Sequence, residues 1–127
     1  PEQPEDAAWL YATQIVERVL RRGPLDVVLL GMGPDGHTAS LFAGHPGLDV
    51  RQAPCFAVRD SPKPPPERVS LSLGVLRAAR YTVLLVTGSD KAGALAKVRA
   101  GDEQVPTALL GDGLDEIVCD VAAASVA

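Results

Sequence analysis

The features that would commit this chain to a membrane, a nucleic acid or an oxidising compartment are missing from its sequence. No apolar run within the 127 residues approaches the roughly 18 to 20 needed to span a bilayer. The opening PEQPEDAAW has neither the basic flank nor the apolar centre of a signal peptide. Excess positive charge is absent as well. A formal net charge of −4 gives no general electrostatic reason to bind nucleic acid or an anionic membrane, so an anionic ligand must be held by local cations. The only cysteines, Cys55 and Cys119, stand far apart beside apolar residues and lack metal-ligand spacing. Both are expected to be buried thiols packing like small hydrophobes. An initiator methionine is lacking and the chain opens on Pro1, as a trimmed chain or a piece of something longer would. A cytosolic protein is the expectation.

What is present suits one α/β domain over residues 1–127, because 46% hydrophobic content can bury a core at this length. Across residues 5–22, Ala8, Trp9, Ala12, Ile15, Val16, Val19 and Leu20 recur at three- and four-residue intervals, predicting an amphipathic helix ended by Gly23-Pro24. Residues 25–30 form a short apolar run that reads as a strand buried on both faces. Short strands are expected at 55–58 and 68–73, a helical turn at 74–80, and a second buried strand at 81–86. A helix should follow at about 91–100, N-capped by Ser89 or Asp90, then a last strand at 114–119. Buried strands alternating with helices predict a largely parallel sheet covered on both faces.

The stretch LDVVLLGMGPDGHTASLF contains Gly31-Met32-Gly33-Pro34-Asp35-Gly36, which satisfies G-x-G-x-x-G. A dinucleotide loop also needs its third glycine to open a long helix. Here only about six helical residues fit before Ala43-Gly44-His45-Pro46-Gly47 intervenes, and Asp35 would set a carboxylate where a diphosphate should lie. Acid–base work is the better use of this loop, since a strand emptying into it puts Asp35 and His37 at the carboxyl edge of the sheet, where open α/β folds bind ligands. Histidine is the side chain best poised to take a proton from water near neutral pH, and a carboxylate can orient its ring. Gly33 and Gly36 N–H groups can face a developing oxyanion. The competing reading is a capping turn in which Asp35 and Thr38 satisfy backbone donors and His37 is merely exposed. His45 reads as a loop histidine.

A second constellation is Ser61-Pro62-Lys63-Pro64-Pro65-Pro66-Glu67-Arg68. Prolines stiffen the backbone, so Lys63 and Arg68 have little freedom to lose on capturing a phosphate or carboxylate. A rigid surface connector, or a proline ligand for an aromatic groove through Pro62 and Pro65, are the other readings.

In order and spacing, LDVVLLGMGPDGHTASLFAGHP, SPKPPPERVSLSL and YTVLLVTGSDKAGAL resemble the 6-phosphogluconolactonase family. The first block alone is shared with the related glucosamine-6-phosphate deaminases; the proline-lysine-proline block points to the lactonases. The resemblance implies a three-layer α/β/α, Rossmann-like fold with a largely parallel sheet. It implies hydrolysis of 6-phospho-D-glucono-1,5-lactone to 6-phosphogluconate in the oxidative pentose phosphate pathway, without metal or organic cofactor. By position His37 matches the base that activates water, and Asp35 the acidic residue of the same loop, with an orienting or electrostatic role. Lys63 and Arg68 match the basic residues near the sugar phosphate, Lys63 foremost, while Gly33 and Gly36 border the substrate. A deaminase-like isomerase and a non-catalytic sugar-phosphate-binding module are the alternatives. Ala43 stands where the family commonly has proline. The resemblance reaches only about the C-terminal half of a family member, so the fold is expected to be incomplete and to need its N-terminal half or another chain.

Overall fold

The computed structural model describes residues 2–125. Helix α1 (Pro4–Ile15) has proline in its first turn, where no amide partner is lost, and Glu5 and Asp6 at its positive end. It widens into a π-turn, Val16–Leu20, before the chain breaks at Gly23. Strand β1 (Val27–Leu30) is followed by the long loop 31–45 and a 3-10 turn, Pro46–Asp49. Strands β2 (Cys55–Val58) and β3 (Arg68–Leu71) form an antiparallel hairpin in which Val58 faces Arg68. Helix α2 (Leu73–Ala78), strand β4 (Tyr81–Val86), a 3-10 turn (Ser89–Lys91) and helix α3 (Ala92–Arg99) follow. A 3-10 segment (Pro106–Gly113), strand β5 (Glu116–Cys119) and helix α4 (Val121–Ala124) complete the order.

The main sheet is parallel with order β1-β4-β5, pairing Val28 with Thr82 and Leu84 with Ile117. Because the strands are parallel, the loops after Leu30, Val86 and Cys119 all leave at one edge. Asp115 accepts the Thr82 N–H at 2.7 Å, closing the β4–β5 seam at the opposite end. At the carboxyl edge Asp120 accepts from Ala123 N–H (2.8 Å) and Gly88 N–H (3.1 Å), tying α4 to the loop after β4. On α1, Glu5 takes a two-point hydrogen bond from the Arg59 guanidinium, both contacts 2.6 Å, which fastens the helix to the hairpin.

The sheet's two faces differ. Val28, Leu30, Leu84 and Val86 enter one core with Met32, Leu41, Phe42, Val58, Leu76, Leu95 and Leu110. On the other face Val27 is 66% exposed and Leu29 68%, joined by exposed Tyr81, Leu85 and Val118. The expectation that β1 and β4 are buried on both faces is therefore corrected: their residues alternate between core and surface. The α1 stripe shows the same pattern, since Ala8 and Ile15 are buried while Trp9 is 70% exposed and Val16 and Val19 are also exposed. Apolarity alone cannot say whether a covering layer lies within the chain.

Three local expectations also change. No helix follows Gly36; Thr38 and Leu41 form an isolated bridge, and Ala39 adopts a positive φ of 50°. Neither Ser89 nor Asp90 caps α3, because Lys91 occupies that position without a side-chain cap. Cys55 is buried, which pushes its thiol pKa up, but Cys119 is only half-buried. No helix among the described residues is long and apolar enough to cross a membrane.

The asymmetry of the sheet has a direct stability test. Leu84→Ala, at a fully buried position, should cost about 2–5 kcal/mol. Leu85→Ala, next to it on the bare face, should cost no more than about 1 kcal/mol. Urea denaturation of the two variants measures the difference, and equal losses would contradict the exposed face.

Candidate active site

The loop leaving β1 is held by one hydrogen bond after another. Thr38 Oγ1 donates to the Gly31 carbonyl at 2.7 Å, and Lys91 Nζ donates to the Met32 carbonyl at 2.6 Å. Gly33 N–H donates to the His37 carbonyl and Gly36 N–H to the Gly33 carbonyl, each at 2.9 Å. The Gly36 carbonyl accepts twice from Thr107, from its hydroxyl at 2.7 Å and its N–H at 3.0 Å. Thr107 is fully buried, so this anchor is shielded from competing water. Glycine is required at two places. Gly36 has φ 87° with Val105 packed where a Cβ would lie, and a Cβ on Gly33 would collide with the His37 ring and Asp35 Oδ1.

These constraints put Asp35 and His37 together. Asp35 Oδ1 lies 2.5 Å from His37 Nδ1 and accepts the His37 N–H at 3.2 Å. Burial raises the Asp35 pKa, but the hydrogen bonds from the His37 ring and amide outweigh it, helped by the charges of His37 and Lys63; the net direction is down. An ionised carboxylate only accepts hydrogen bonds, which assigns the proton of neutral His37 to Nδ1 and leaves the Nε2 lone pair free. The His37 side chain is 17% exposed and its ring packs against Phe42, centroids 4.8 Å apart. It lines an open cleft of about 320 Å³ with Gly31, Met32, Gly33, Thr38 and Ala39. A larger cleft, about 630 Å³ between Leu20, Pro24, Arg51, Pro54 and Val75, contains none of these groups. The chemistry, rather than the volume, marks the site.

The predicted residues converge unevenly. Lys63 is half-buried in the proline-rich loop and close enough for its charge to act on Asp35. Arg68 sits with its guanidinium carbon 5.4 Å from the centre of the Phe42 ring, on which His37 also packs. The Gly33 and Gly36 N–H groups are both committed inside the loop. His45 is structural: Nδ1 accepts the Gly47 N–H at 2.9 Å and Nε2 meets Asp60 at 3.0 Å. Without a helix behind Gly36, the dinucleotide reading loses its anion-binding end. Thr107, Lys91 and Phe42 were not foreseen as site residues; the first two act across 71 and 59 residues of chain, where no local pattern signals a contact. No cluster of three or more metal-ligating side chains occurs among the described residues.

A family model for glucosamine-6-phosphate isomerases/6-phosphogluconolactonase matches residues 1–119. The chain is similar to the 6-phosphogluconolactonase of Streptomyces coelicolor, 52% identical over 85 residues, covering 65% of this chain and 33% of that protein. It is similar to the human 6-phosphogluconolactonase, 44% identical over 111 residues, covering 84% of this chain and 42% of that protein. The solved 6-phosphogluconolactonase from Trypanosoma brucei matches with a TM-score of 0.75 at 30% identity, over 92% of this chain and 51% of that one. The chain thus spans about half or less of the length of these relatives.

The lowered Asp35 pKa gives a test of the pair that needs no substrate. A carboxyl held lower in the folded chain than in the unfolded one adds stability above its unfolded value, and that stability is lost as pH falls through the folded value. His37→Ala removes the ring hydrogen bond and charge that do most to lower it, and leaves the burial that raises it and the smaller lowering effect of the Lys63 charge. The Asp35 carboxyl, followed by carbon-13 NMR, should therefore titrate at higher pH in His37→Ala than in the parent. An unchanged midpoint would mean that the pair is not formed in solution.

Proposed function

The chain belongs to the glucosamine-6-phosphate isomerase/6-phosphogluconolactonase family, and from that premise we propose that it carries the acid–base centre of an enzyme hydrolysing 6-phospho-D-glucono-1,5-lactone to 6-phosphogluconate. The observation that carries the reading is the Asp35–His37 pair, with Nδ1 engaged and Nε2 left to the cleft. Nε2 takes a proton from water as the water oxygen bonds to the lactone carbonyl carbon. The tetrahedral intermediate then collapses with cleavage of the bond to the ring oxygen, and the imidazolium returns its proton to that oxygen. Asp35 holds the ring orientation and stabilises the imidazolium. A lactone is an activated ester, so a positioned water and one base can serve without a covalent nucleophile. With the Gly33 and Gly36 N–H groups engaged, these glycines shape the turn beside the substrate, and the donors to the oxyanion come from elsewhere. Lys63 supplies the charge for the sugar phosphate. The reading sets this reaction in the cytosol.

The bare sheet face belongs to the same proposal. Exposed Val27, Leu29, Tyr81, Leu85 and Val118 form an apolar surface beside the unpaired edge of β1, which is a liability in an isolated chain. The relatives have about twice this length. We infer that an upstream segment of the same protein, or a second polypeptide equivalent to it, covers that face and completes the substrate site.

Variant kinetics, competing assays and the activity of the isolated chain test the reading. In the completed enzyme, His37→Ala should lower kcat by about 10²- to 10⁴-fold while substrate affinity stays within a few-fold, and Lys63→Ala should instead raise KM by roughly tenfold or more. Ammonia release from glucosamine 6-phosphate, measured alongside lactone hydrolysis, separates the isomerase alternative, and phosphosugar binding without either turnover would favour a binding module. The 127-residue chain alone should turn over lactone far more slowly than the completed protein. Full activity from its monomer would refute the need for a covering half.

A further inference from the structure

The segment that presents Lys63 cannot hold itself in shape by ordinary turn hydrogen bonds. Pro64, Pro65 and Pro66 have no N–H, so this stretch offers few backbone donors of its own to the carbonyls around it. One backbone bond closes the loop, Ser61 N–H to the Pro66 carbonyl at 3.0 Å. Ser61 Oγ adds a local clasp, donating to the Lys63 carbonyl at 2.6 Å and accepting the Lys63 N–H at 3.2 Å. The remaining donors come from Arg68. Its Nε donates to the Pro65 carbonyl at 3.1 Å, and Nη2 donates to the carbonyls of Lys63 and Pro64, both at 3.0 Å.

This geometry removes Arg68 from the role that its charge invites. A guanidinium grips a phosphate best through two parallel N–H groups along one edge. Both such edges of Arg68 include Nη2, whose two hydrogens go to carbonyls, leaving only Nη1 uncommitted. The guanidinium also lies over Phe42, which is 2% exposed and packs on His37. Arg68 itself starts β3, fixed opposite Val58 in the hairpin. A rigid strand end thus reaches both the backbone beneath Lys63 and the aromatic ring beneath His37.

We propose that Arg68 is a positioning residue, a latch that fixes the Lys63 backbone relative to the His37 loop, and that Lys63 alone of the two cations grips the substrate phosphate. The proposal rests on the lactonase reading for the identity of the anion, but the latch is a property of the chain itself. Lys63 acts electrostatically on Asp35, whereas Arg68 is not among the groups that shift it. That difference makes Asp35 a reporter of where Lys63 sits.

The test is a cycle on the full 127-residue chain, comparing the parent with Lys63→Ala, Arg68→Lys, Arg68→Ala and Arg68→Lys/Lys63→Ala. The Asp35 carboxyl is titrated by carbon-13 NMR, inorganic phosphate is the binding probe, and amide spectra identify any variant that has not folded. Lys63→Ala should raise the Asp35 midpoint, and Arg68→Ala should reproduce that rise although Arg68 is no source of the shift. Arg68→Lys, which keeps the charge and loses the planar fork, should do the same in part, and the double variant should match Lys63→Ala. Phosphate Kd should rise roughly tenfold for Lys63→Ala, with no further rise in the double variant. If both Arg68 variants leave the Asp35 midpoint at its parent value, the latch is refuted; if the phosphate losses multiply, Arg68 binds the anion directly and the proposal is refuted as well. If the parent binds no phosphate, Lys63 does not hold the anion without the covering half, and the Asp35 midpoints alone decide whether Arg68 holds its position.

Discussion

The peptide unit between Gly36 and His37 is clamped at both ends, and the rest of the site follows from it. Its carbonyl takes two hydrogen bonds from buried Thr107, and its N–H points to Asp35 Oδ1, the oxygen that also meets the His37 ring. With the peptide plane fixed, one carboxylate oxygen holds both the backbone and the ring of the histidine. Lys91 and Thr38 continue the restraint back to the end of β1. Preorganisation of this kind is set when the chain folds, so the hydrolysis proposed above would need no reorganisation of the loop.

Charge at this site is managed through few side chains in an otherwise acidic chain. Asp35 is kept ionised by His37 and Lys63 despite its partial burial. Its negative charge would repel a phosphate placed directly on the glycine turn, so in the proposed reaction the anionic end of the lactone would lie toward the proline-rich loop and its carbonyl at the histidine. The two blocks are bridged through Phe42, whose ring meets both His37 and Arg68.

Much of this was legible in the sequence, for identifiable reasons. Branched apolar runs marked β1 and β4 correctly, and the spacing of Asp35 and His37 placed both on one turn. The burial of those strands on both faces was misjudged because Val27, Leu29 and Leu85 are as apolar as their buried neighbours. Trp9, Val16 and Val19 misled in the same way on α1. The helix expected after Gly36 fails because Thr38 turns its hydroxyl back to the Gly31 carbonyl and Ala39 takes a left-handed conformation. Arg68 was legible as a cation near the site, but whether a cation faces a ligand or a carbonyl depends on which neighbours lack N–H groups.

The bond from Thr107 to Gly36 joins residues 71 positions apart, and this separation governs the order in which the molecule can assemble. Closing so long a loop carries an entropic cost that local contacts in the turn cannot offset by themselves. During synthesis the glycine turn emerges well before its clamp, so it must remain unclamped until the segment after α3 has been made and docked. The turn that carries the histidine is therefore locked late, by a distant part of the chain.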